Sequence, residues 1–328
     1  MHMSAVMLLG GLVILAFAAD RFVLAASRLS RLWGLSPVLV GALVVGMGTS
    51  APELLVSTLA ASDGELDLAI GNAVGSNVAN VTLVLGVTAL FSPLIGSARV
   101  LRREGVAMLA AVAGMAFVIY DLQVTRVEGI ILLGSMVVAG TLIVRWARKD
   151  AAMGLTTAAD RPPSDEDTAE PEVGEIDWRK EVGLGLLSLL ATLAGAELLV
   201  VGGTGLAERI GVGSGFIGMT LVAVGTSLPE LATSIAGIRR NENDLVVGNV
   251  LGSNLFNALA VAGMAAVISP GQLEARFQAG SLSMIACACL AGWFAFTGRK
   301  IVRWEGMLLF IGFIAFVLMS YTGGLEMR

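Results

Sequence analysis

The stretch "GMGTSAPELL", Gly46–Leu55, sets a carboxylate and a proline inside a long run of small and apolar residues. Nearly the same string, "AVGTSLPELA", returns at Ala223–Ala232. Proline lacks the N–H that a helix interior needs, and a carboxylate is costly to bury among apolar residues. Two costly features that occur together twice indicate a function to which both stretches contribute.

A shift of 177 residues aligns the first half of the chain with the second. Residues 34–86 and 211–263 are identical at 21 of 53 positions, with no gap. Chance similarity between apolar segments would not extend to polar positions, which match throughout both motifs. The matched polar pairs are Thr49 and Thr226, Ser50 and Ser227, Glu53 and Glu230, Asn72 and Asn249, Ser76 and Ser253, and Asn80 and Asn257. The sequence therefore contains an internal duplication.

The composition is typical of an all-α polytopic membrane protein. Of 328 residues, 56% are hydrophobic and only 14% are charged, and the mean hydropathy is +0.83. Apolar runs of about 20 residues satisfy their own backbone groups as helices in lipid. The 41 glycines and the small aromatic content favour closely packed helices over a β-barrel. The first run, Ala5–Ala19, lacks the charged start and the cleavage site of a signal peptide, so we expect it to be retained.

We predict ten transmembrane helices in two five-helix repeats. They are expected at residues 5–27, 36–61, 67–91, 104–120, 127–147, 181–207, 213–238, 244–268, 279–297 and 303–321. Residues 1–150 form the first repeat, residues 179–328 the second, and residues 151–178 an acidic linker between them. Because five is an odd number, the second repeat enters the membrane from the opposite side, which makes the repeats inverted.

The distribution of basic residues predicts the orientation in the membrane. If both termini lie outside, the inside loops and the linker hold 16 of the 21 Lys and Arg residues. The positive-inside rule then predicts a multi-pass protein of the cell (inner) membrane, with a cytoplasmic linker.

Thr49, Ser50 and Glu53 are spaced so that they share one face of a helix. Pro52 removes an N–H, so the carbonyl groups one turn earlier, around Gly48, lose a donor. A carboxylate, two hydroxyl groups and freed carbonyl groups should therefore converge on one point. The second motif repeats this arrangement at Thr226, Ser227 and Glu230.

A polar stripe follows each motif at a spacing of i, i+4 and i+8. The stripes are Asn72, Ser76 and Asn80 in the first repeat, and Asn249, Ser253 and Asn257 in the second. Oxygen donors of this kind suit hard cations such as Na⁺ and Ca²⁺. Two ionised glutamates place two negative charges in motifs that contain no basic residue, and one Ca²⁺ or several Na⁺ would offset the cost of burying them. Such a site would cross the membrane loaded with one ion type or the other, which predicts obligatory exchange.

The residues that common hydrolytic chemistry needs are missing from the apolar segments. The only histidine is His2, and the two cysteines, Cys287 and Cys289, lie in one apolar run. Zinc catalysis and Ser/His or Cys/His nucleophiles are therefore excluded, and with them an intramembrane hydrolase of that kind. We expect a protein that is not an enzyme and that carries no cofactor.

Four sequence motifs resemble those of a known protein family. "GTSAPE" at 48–53 with "GNAVGSNVAN" at 71–80, and "GTSLPE" at 225–230 with "GNVLGSNLFN" at 248–257, resemble the paired α-repeats of sodium/calcium exchangers. These proteins belong to the cation/Ca²⁺ antiporter superfamily, and the likeness is to its prokaryotic members. It extends over the chain apart from the linker and includes helix count, inverted halves and motif order.

The resemblance implies a set of ion ligands. Glu53 and Glu230 would be the central ligands, shared by Ca²⁺ and Na⁺, with the carbonyl groups of Gly46 and Ala223 contributing. Thr49, Ser50 and Ser76 would form one flanking Na⁺ site, Thr226, Ser227 and Ser253 the other, and Asn80 and Asn257 would line the middle.

The resemblance also implies how transport proceeds. Three Na⁺ would exchange for one Ca²⁺, which makes the cycle electrogenic, while helices one and six slide over a fixed core. The partners implied are Ca²⁺, Na⁺ and the lipid bilayer, without nucleic acid; a monomer would suffice for transport, and the oligomeric state stays open.

Two other functions stay open as alternatives. Amides at Asn80 and Asn257 disfavour K⁺ dependence, because K⁺-dependent members carry an acid in this pair. The H⁺/Ca²⁺ branch usually carries Asn where this chain has Thr49 and Thr226, yet either glutamate could carry a proton, so antiport of H⁺ for Ca²⁺ or another divalent cation remains. A passive cation channel would need an open pore, which two buried carboxylates on inverted broken helices disfavour.

Overall fold

The computed structural model describes residues 2–153, 176–209, 223–298 and 300–325, and nearly all of them are helical. The helices of the first half are α1 His2–Leu32, α2 Pro37–Thr49, α3 Ala51–Ser62, α4 Leu66–Phe91, α5 Ala98–Tyr120 and α6 Arg126–Ala152. Those of the second half are α7 Trp178–Arg209, α8 Ala223–Thr226, α9 Leu228–Arg239, α10 Asn243–Ile268, α11 Arg276–Gly298 and α12 Arg303–Leu325. The order of elements in one half matches the order in the other.

Within the described ranges, eight helices are long and apolar enough to cross a membrane. Helices α2 and α3, which are bent by 43° where they meet, pass the same test as a pair. The predicted all-helical membrane architecture is thus confirmed, with eight spans, or nine if the bent pair is counted as one, in the described part of the chain. Of the predicted seventh helix, residues 213–222 lie outside the described residues, and the rest corresponds to α8 and α9. The predicted linker falls largely on residues 154–175, which also lie outside them.

Four two-residue strands show how the two halves are oriented relative to each other. They are β1 Leu94–Ile95, β2 Gln123–Val124, β3 Gly271–Gln272 and β4 Lys300–Ile301, and the antiparallel pairs are β1 with β4 and β2 with β3. Each pair joins the loop after the third span of one half to the loop after the fourth span of the other. In halves of equal orientation those two loops would lie on opposite sides of the membrane. The strand pairing therefore confirms the predicted inversion.

Glycines allow α2 and α10 to cross in backbone contact. A Cβ at Gly41 would lie 2.3 Å from the carbonyl oxygen of Leu245, and one at Gly252 would lie 2.2 Å from that of Ala42. No side chain larger than hydrogen fits at such distances. This contact brings the broken helix of the first half against the polar stripe of the second.

The two halves are interleaved through a matched pair of glycine contacts. A Cβ at Gly86 in α4 would lie 2.8 Å from the carbonyl oxygen of Gly306 in α12. Its counterpart at Gly263 in α10 would lie 3.1 Å from that of Gly129 in α6. The third span of each half thus packs on the fifth span of the other.

Helices α1 and α7 form an antiparallel pair at the edge of this core. At Gly202 a Cβ would lie 2.4 Å from the backbone nitrogen of Leu8, and at the other end of the pair Arg21 contacts Glu181 at 2.8 Å. At that same end α1 is tied to the turn between α9 and α10, because Arg240 donates to both oxygens of Asp20 at 2.9 and 2.6 Å.

Candidate cation site

The helix breaks occur at equivalent residues of the two motifs. Ser50, between α2 and α3, has φ −87° and ψ 9°, and Ser227, between α8 and α9, has φ −89° and ψ 3°. Each serine stands two residues before a proline, Pro52 or Pro229, that opens the next helix. The proline ring cannot donate the N–H that would continue the preceding turn. The predicted breaks are therefore present in both halves.

The two glutamates of the motifs are fully buried. Glu53 is 0% and Glu230 is 1% exposed, and each lies in the first turn of the helix that follows a break. Ser50, three residues before Glu53, donates to the carboxylate of Glu230, so the two motifs lie next to each other. Because burial of a carboxylate among apolar residues is costly, an intramembrane carboxylate in this setting is a candidate functional residue.

Hydrogen bonds at the site run between the halves. Ser50 Oγ donates to Oε1 of Glu230 at 2.8 Å, and Ser253 Oγ donates to the carbonyl oxygen of Gly46 at 3.1 Å. Thr49 belongs to the same group, since its Oγ1 donates to the carbonyl oxygen of Val45 at 3.0 Å and lies 3.3 Å from that of Gly46. These contacts bring Ser253 of the second half to Gly46 and Thr49, and Ser50 of the first half to Glu230.

The remaining predicted ligands belong to the second break and to the two polar stripes. Ser227 and Ser76 are buried, Thr226 is half-buried, and Ala223 is the first residue of α8. The amides of Asn80 and Asn257 are 1% and 0% exposed. Each of these amides lies where its helix widens into a π-helical segment, Asn80–Val84 in α4 and Phe256–Val261 in α10. Such segments are frequent at functional sites.

A set of buried polar atoms at this site has no hydrogen-bond partner in the described structure. They are Oε1 and Oε2 of Glu53, Oε2 of Glu230, Oγ of Ser227, and both amide atoms of Asn80 and of Asn257. An unsatisfied buried polar group costs about 1–3 kcal/mol. Six of these eight atoms are oxygens, and three of the six belong to carboxylates. The donor set fits a hard cation, which would satisfy several of these oxygens at once.

Softer metals find no matching donors in the described residues, where no group of three or more His, Cys, Asp or Glu side chains comes together. The free cysteines Cys287 and Cys289 both lie on α11, away from the motifs. The site therefore offers two carboxylates surrounded by hydroxyl, amide and main-chain oxygens, as the sequence predicts.

The spacing of Asn72 and Asn249 in the two polar stripes does not say whether these amides bind an ion or brace a helix. Asn72 and Asn249 bind the helices that carry the glutamates: Asn72 Nδ2 donates to Ser57 Oγ at 3.0 Å, and Asn249 Nδ2 donates to Ser234 Oγ at 3.2 Å. Ser57 and Ser234 are themselves related by the shift of 177 residues. That match is the signal by which the sequence could have identified both pairs.

The fold and the site together define a class of membrane transporter with two inverted halves and a buried, oxygen-lined cation site at their contact. The chain matches the family model described as "Sodium/calcium exchanger protein" over residues 3–144 and 180–322. It belongs to the sodium/calcium exchanger family.

Several relatives are similar over nearly the whole chain. The putative antiporter CaxA of Alkalimonas amylolytica is 38% identical over 331 residues, which cover 98% of this chain and 100% of the relative. The inner membrane protein YrbG of Escherichia coli is 36% identical, with 98% of each chain covered. The sodium/calcium exchanger MaX1 of Methanosarcina acetivorans is 32% identical, with 96% of this chain and 97% of the relative covered.

Solved structures of the sodium-calcium exchanger NCX_Mj share the fold. One of them superimposes with a TM-score of 0.79 at 29% sequence identity and covers 95% of this chain and 97% of the solved one. The family resemblance expected from the four motifs is thereby confirmed.

Proposed function

We propose that this protein is a secondary active antiporter that exchanges Na⁺ for Ca²⁺ by alternating access. The observation that carries the proposal is the pair of fully buried glutamates with unpartnered carboxylate oxygens, set among oxygen donors from both halves. Family membership supports the same ions, since the relative MaX1 is named a sodium/calcium exchanger and the structural neighbour NCX_Mj a sodium-calcium exchanger. An alternative exchange of H⁺ for Ca²⁺ has no comparable support.

The proposed ligands divide by chemistry. Glu53 and Glu230 supply the charge that a desolvated cation needs. Hydroxyl groups come from Thr49, Ser50, Ser76, Thr226, Ser227 and Ser253, main-chain oxygens from Gly46 and Ala223, and amide oxygens from Asn80 and Asn257. The set exceeds the six to eight oxygens that one Ca²⁺ takes, which leaves ligands for Na⁺ at the flanks.

Charge balance explains why the exchange is obligatory. Two ionised glutamates carry a charge of −2, and the four motifs contain no Lys, Arg or His to balance it. One Ca²⁺ neutralises the pair, and several Na⁺ do so in its place. An unloaded site would take two like charges through the low-dielectric interior, which is strongly unfavourable. The protein therefore crosses between its two states only when loaded.

The proposal includes an electrogenic cycle and a defined orientation. Exchange of three Na⁺ for one Ca²⁺ would move one net charge, worth about 2.3 kcal/mol per 100 mV of membrane potential. The excess of basic residues on one side predicts both termini outside and a cytoplasmic linker in the inner membrane. Because the described site is built from the two halves of one chain, a monomer holds a complete site.

The test is a flux assay in proteoliposomes that contain the purified protein. Vesicles loaded with Na⁺ are diluted into medium that contains Ca²⁺, and the uptake of Ca²⁺ is followed over time. We expect uptake that requires the outward Na⁺ gradient and that changes with an imposed membrane potential. The matched control loads vesicles with K⁺ at equal osmolarity.

Two outcomes would contradict Na⁺/Ca²⁺ exchange, and a third would contradict only its electrogenic stoichiometry. Uptake of Ca²⁺ without any counter-ion gradient would indicate a channel. Uptake driven by an outward H⁺ gradient, with Na⁺ inactive, would indicate an H⁺/Ca²⁺ antiporter. A rate independent of membrane potential would exclude the electrogenic stoichiometry while leaving Na⁺/Ca²⁺ exchange itself in place.

A further inference from the structure

In the first half, Asn72 holds the helix that carries Glu53. Its Nδ2 group donates to the main-chain oxygen of Glu53 at 3.1 Å and to Ser57 Oγ at 3.0 Å. Ser57, which is 0% exposed, donates in turn to the carbonyl oxygen of Ala69 at 3.0 Å. Three hydrogen bonds thus tie α3 to α4 around the turn that bears the carboxylate.

In the second half, Asn249 reaches the equivalent place through an additional hydroxyl group. Its Nδ2 group donates to Ser234 Oγ at 3.2 Å and to Thr233 Oγ1 at 3.3 Å. The Thr233 hydroxyl lies 2.8 Å from the carbonyl oxygen of Pro229 and 3.1 Å from that of Glu230. In both halves, therefore, a polar connection runs from the asparagine to the main-chain oxygen of the motif glutamate.

The two connections differ at a single position. Thr233 corresponds to Val56 under the shift of 177 residues, and Val56 has no hydroxyl group to offer. Asn72 consequently contacts Glu53 directly, whereas Asn249 contacts Glu230 through Thr233. Two different sets of side chains therefore hold the main-chain oxygen of the motif glutamate, which indicates that both halves require this oxygen to be anchored.

The orientation of the amides separates positioning from ion ligation. A cation is bound by oxygen, and in both asparagines it is the NH₂ group that faces the glutamate helix. The amide oxygen of Asn249 lies 3.5 Å from Thr49 Oγ1, which donates to it. The anchored turns follow the helix breaks at Ser50 and Ser227, where the regular ladder that would otherwise fix the helix is interrupted. Polar groups that orient ligands in this way are known to tune metal affinity.

We propose that Asn72 and Asn249 are positioning residues, which fix the turns of Glu53 and Glu230 so that both carboxylates converge on the same cation. The inference rests on the proposed function, because it takes the two glutamates as ion ligands. It assigns to the asparagines a role in ion affinity without direct contact to the ion.

The first test measures Ca²⁺ binding to the detergent-purified protein by calorimetry. We expect Asn72→Ala to weaken Ca²⁺ binding about tenfold, the effect of losing one to two hydrogen bonds at a ligand. The matched control is Asn77→Ala on the same helix, since Asn77 is also buried but donates to its own helix at Ala73 and to Met115. Binding by the control should stay within about twofold of the unmodified protein.

The second test removes the partner of the asparagine on α3. Ser57→Ala deletes the hydroxyl group that receives Asn72 Nδ2 and donates to Ala69, and it leaves every proposed ion ligand in place. We expect it to weaken Ca²⁺ binding about threefold or more, and the double variant with Asn72→Ala to lose less than the product of the two single effects. Ser234→Ala should weaken binding in the same manner in the second half.

Two results would overturn the positioning role. One is unchanged Ca²⁺ affinity in Asn72→Ala, even if the yield or thermal stability of the protein falls. The other is a loss of affinity in Asn72→Ala with none in Ser57→Ala, because a direct ligand does not depend on a partner on α3. Failure of the exchange function is seen separately, as absent Na⁺-dependent uptake by the unmodified protein, while its Ca²⁺ binding remains measurable.

Discussion

Ser50 of the first half donates a hydrogen bond of 2.8 Å to the carboxylate of Glu230 in the second half. The two residues are 180 positions apart in sequence, and each is 0–1% exposed. The breaks of the two halves therefore meet across the centre of the protein, and each break helps to build the ligand set of the other. Removal of either the Ser50 hydroxyl or the Glu230 carboxylate should therefore weaken ion binding at the shared site.

Replacement of Ser50 by alanine should weaken Ca²⁺ exchange without unfolding the protein. The change removes a hydrogen bond to a carboxylate, worth about 1.5–3 kcal/mol, and we expect the apparent Ca²⁺ affinity to fall about tenfold or more. Uptake measured as a function of Ca²⁺ concentration would report it. Ser62→Ala, at the exposed end of α3, is the control, and an equal effect in both variants would argue against a specific role for Ser50.

Glu53→Gln and Glu230→Gln should each reduce Na⁺-driven Ca²⁺ uptake more than a hundredfold. Each change keeps the volume of the side chain but removes one of the two negative charges that would bind the cation, and truncating one partner of a buried pair of opposite charges commonly costs about 2–5 kcal/mol. The measurement is flux in proteoliposomes at matched protein content. Exchange at a normal rate in either variant would remove that glutamate from the ligand set.

Gly248→Ala should separate α2 from α10 and destabilise the fold. The added Cβ would lie 2.3 Å from the carbonyl oxygen of Val38, a main-chain atom that cannot move aside alone. We expect a loss of about 1–3 kcal/mol in stability, seen as a lower unfolding temperature in detergent. Gly134→Ala, where a Cβ would meet no atom within 4 Å, should leave that temperature unchanged or slightly raised. Equal behaviour of the two variants would contradict the close crossing.

The paired strands allow the orientation to be tested by labelling. In a background without Cys287 and Cys289, single cysteines at Gln123 or Gln272, both exposed, mark one end of the protein, and cysteines at Ile95 or Lys300 mark the other. A membrane-impermeant thiol reagent added to right-side-out vesicles should modify only the first two. Modification of the second pair in intact vesicles would reverse the proposed orientation.

The parts of the fold that depend on local chemistry could be predicted from the sequence. Pro52 and Pro229 break their helices wherever the rest of the chain lies, so the breaks at Ser50 and Ser227 follow from the motifs. Partners across the halves could not be assigned in this way, because the contact of Ser253 with Gly46 depends on how α2 crosses α10. The π-helical segments Asn80–Val84 and Phe256–Val261 could not be predicted either. The residues around them are apolar on every face of the helix, so a change in the number of residues per turn does not show in the hydrophobic pattern.

The pairing of unlike loops has a consequence for the origin of the chain. A twofold axis in the plane of the membrane exchanges the β1–β4 pair with the β2–β3 pair. The same axis exchanges the contact of Gly86 with Gly306 and the contact of Gly263 with Gly129. Two identical five-helix proteins, inserted in opposite directions, would satisfy every one of them. The present chain thus has the architecture of a tethered antiparallel dimer, in which equivalent positions such as Val56 and Thr233 carry different residues.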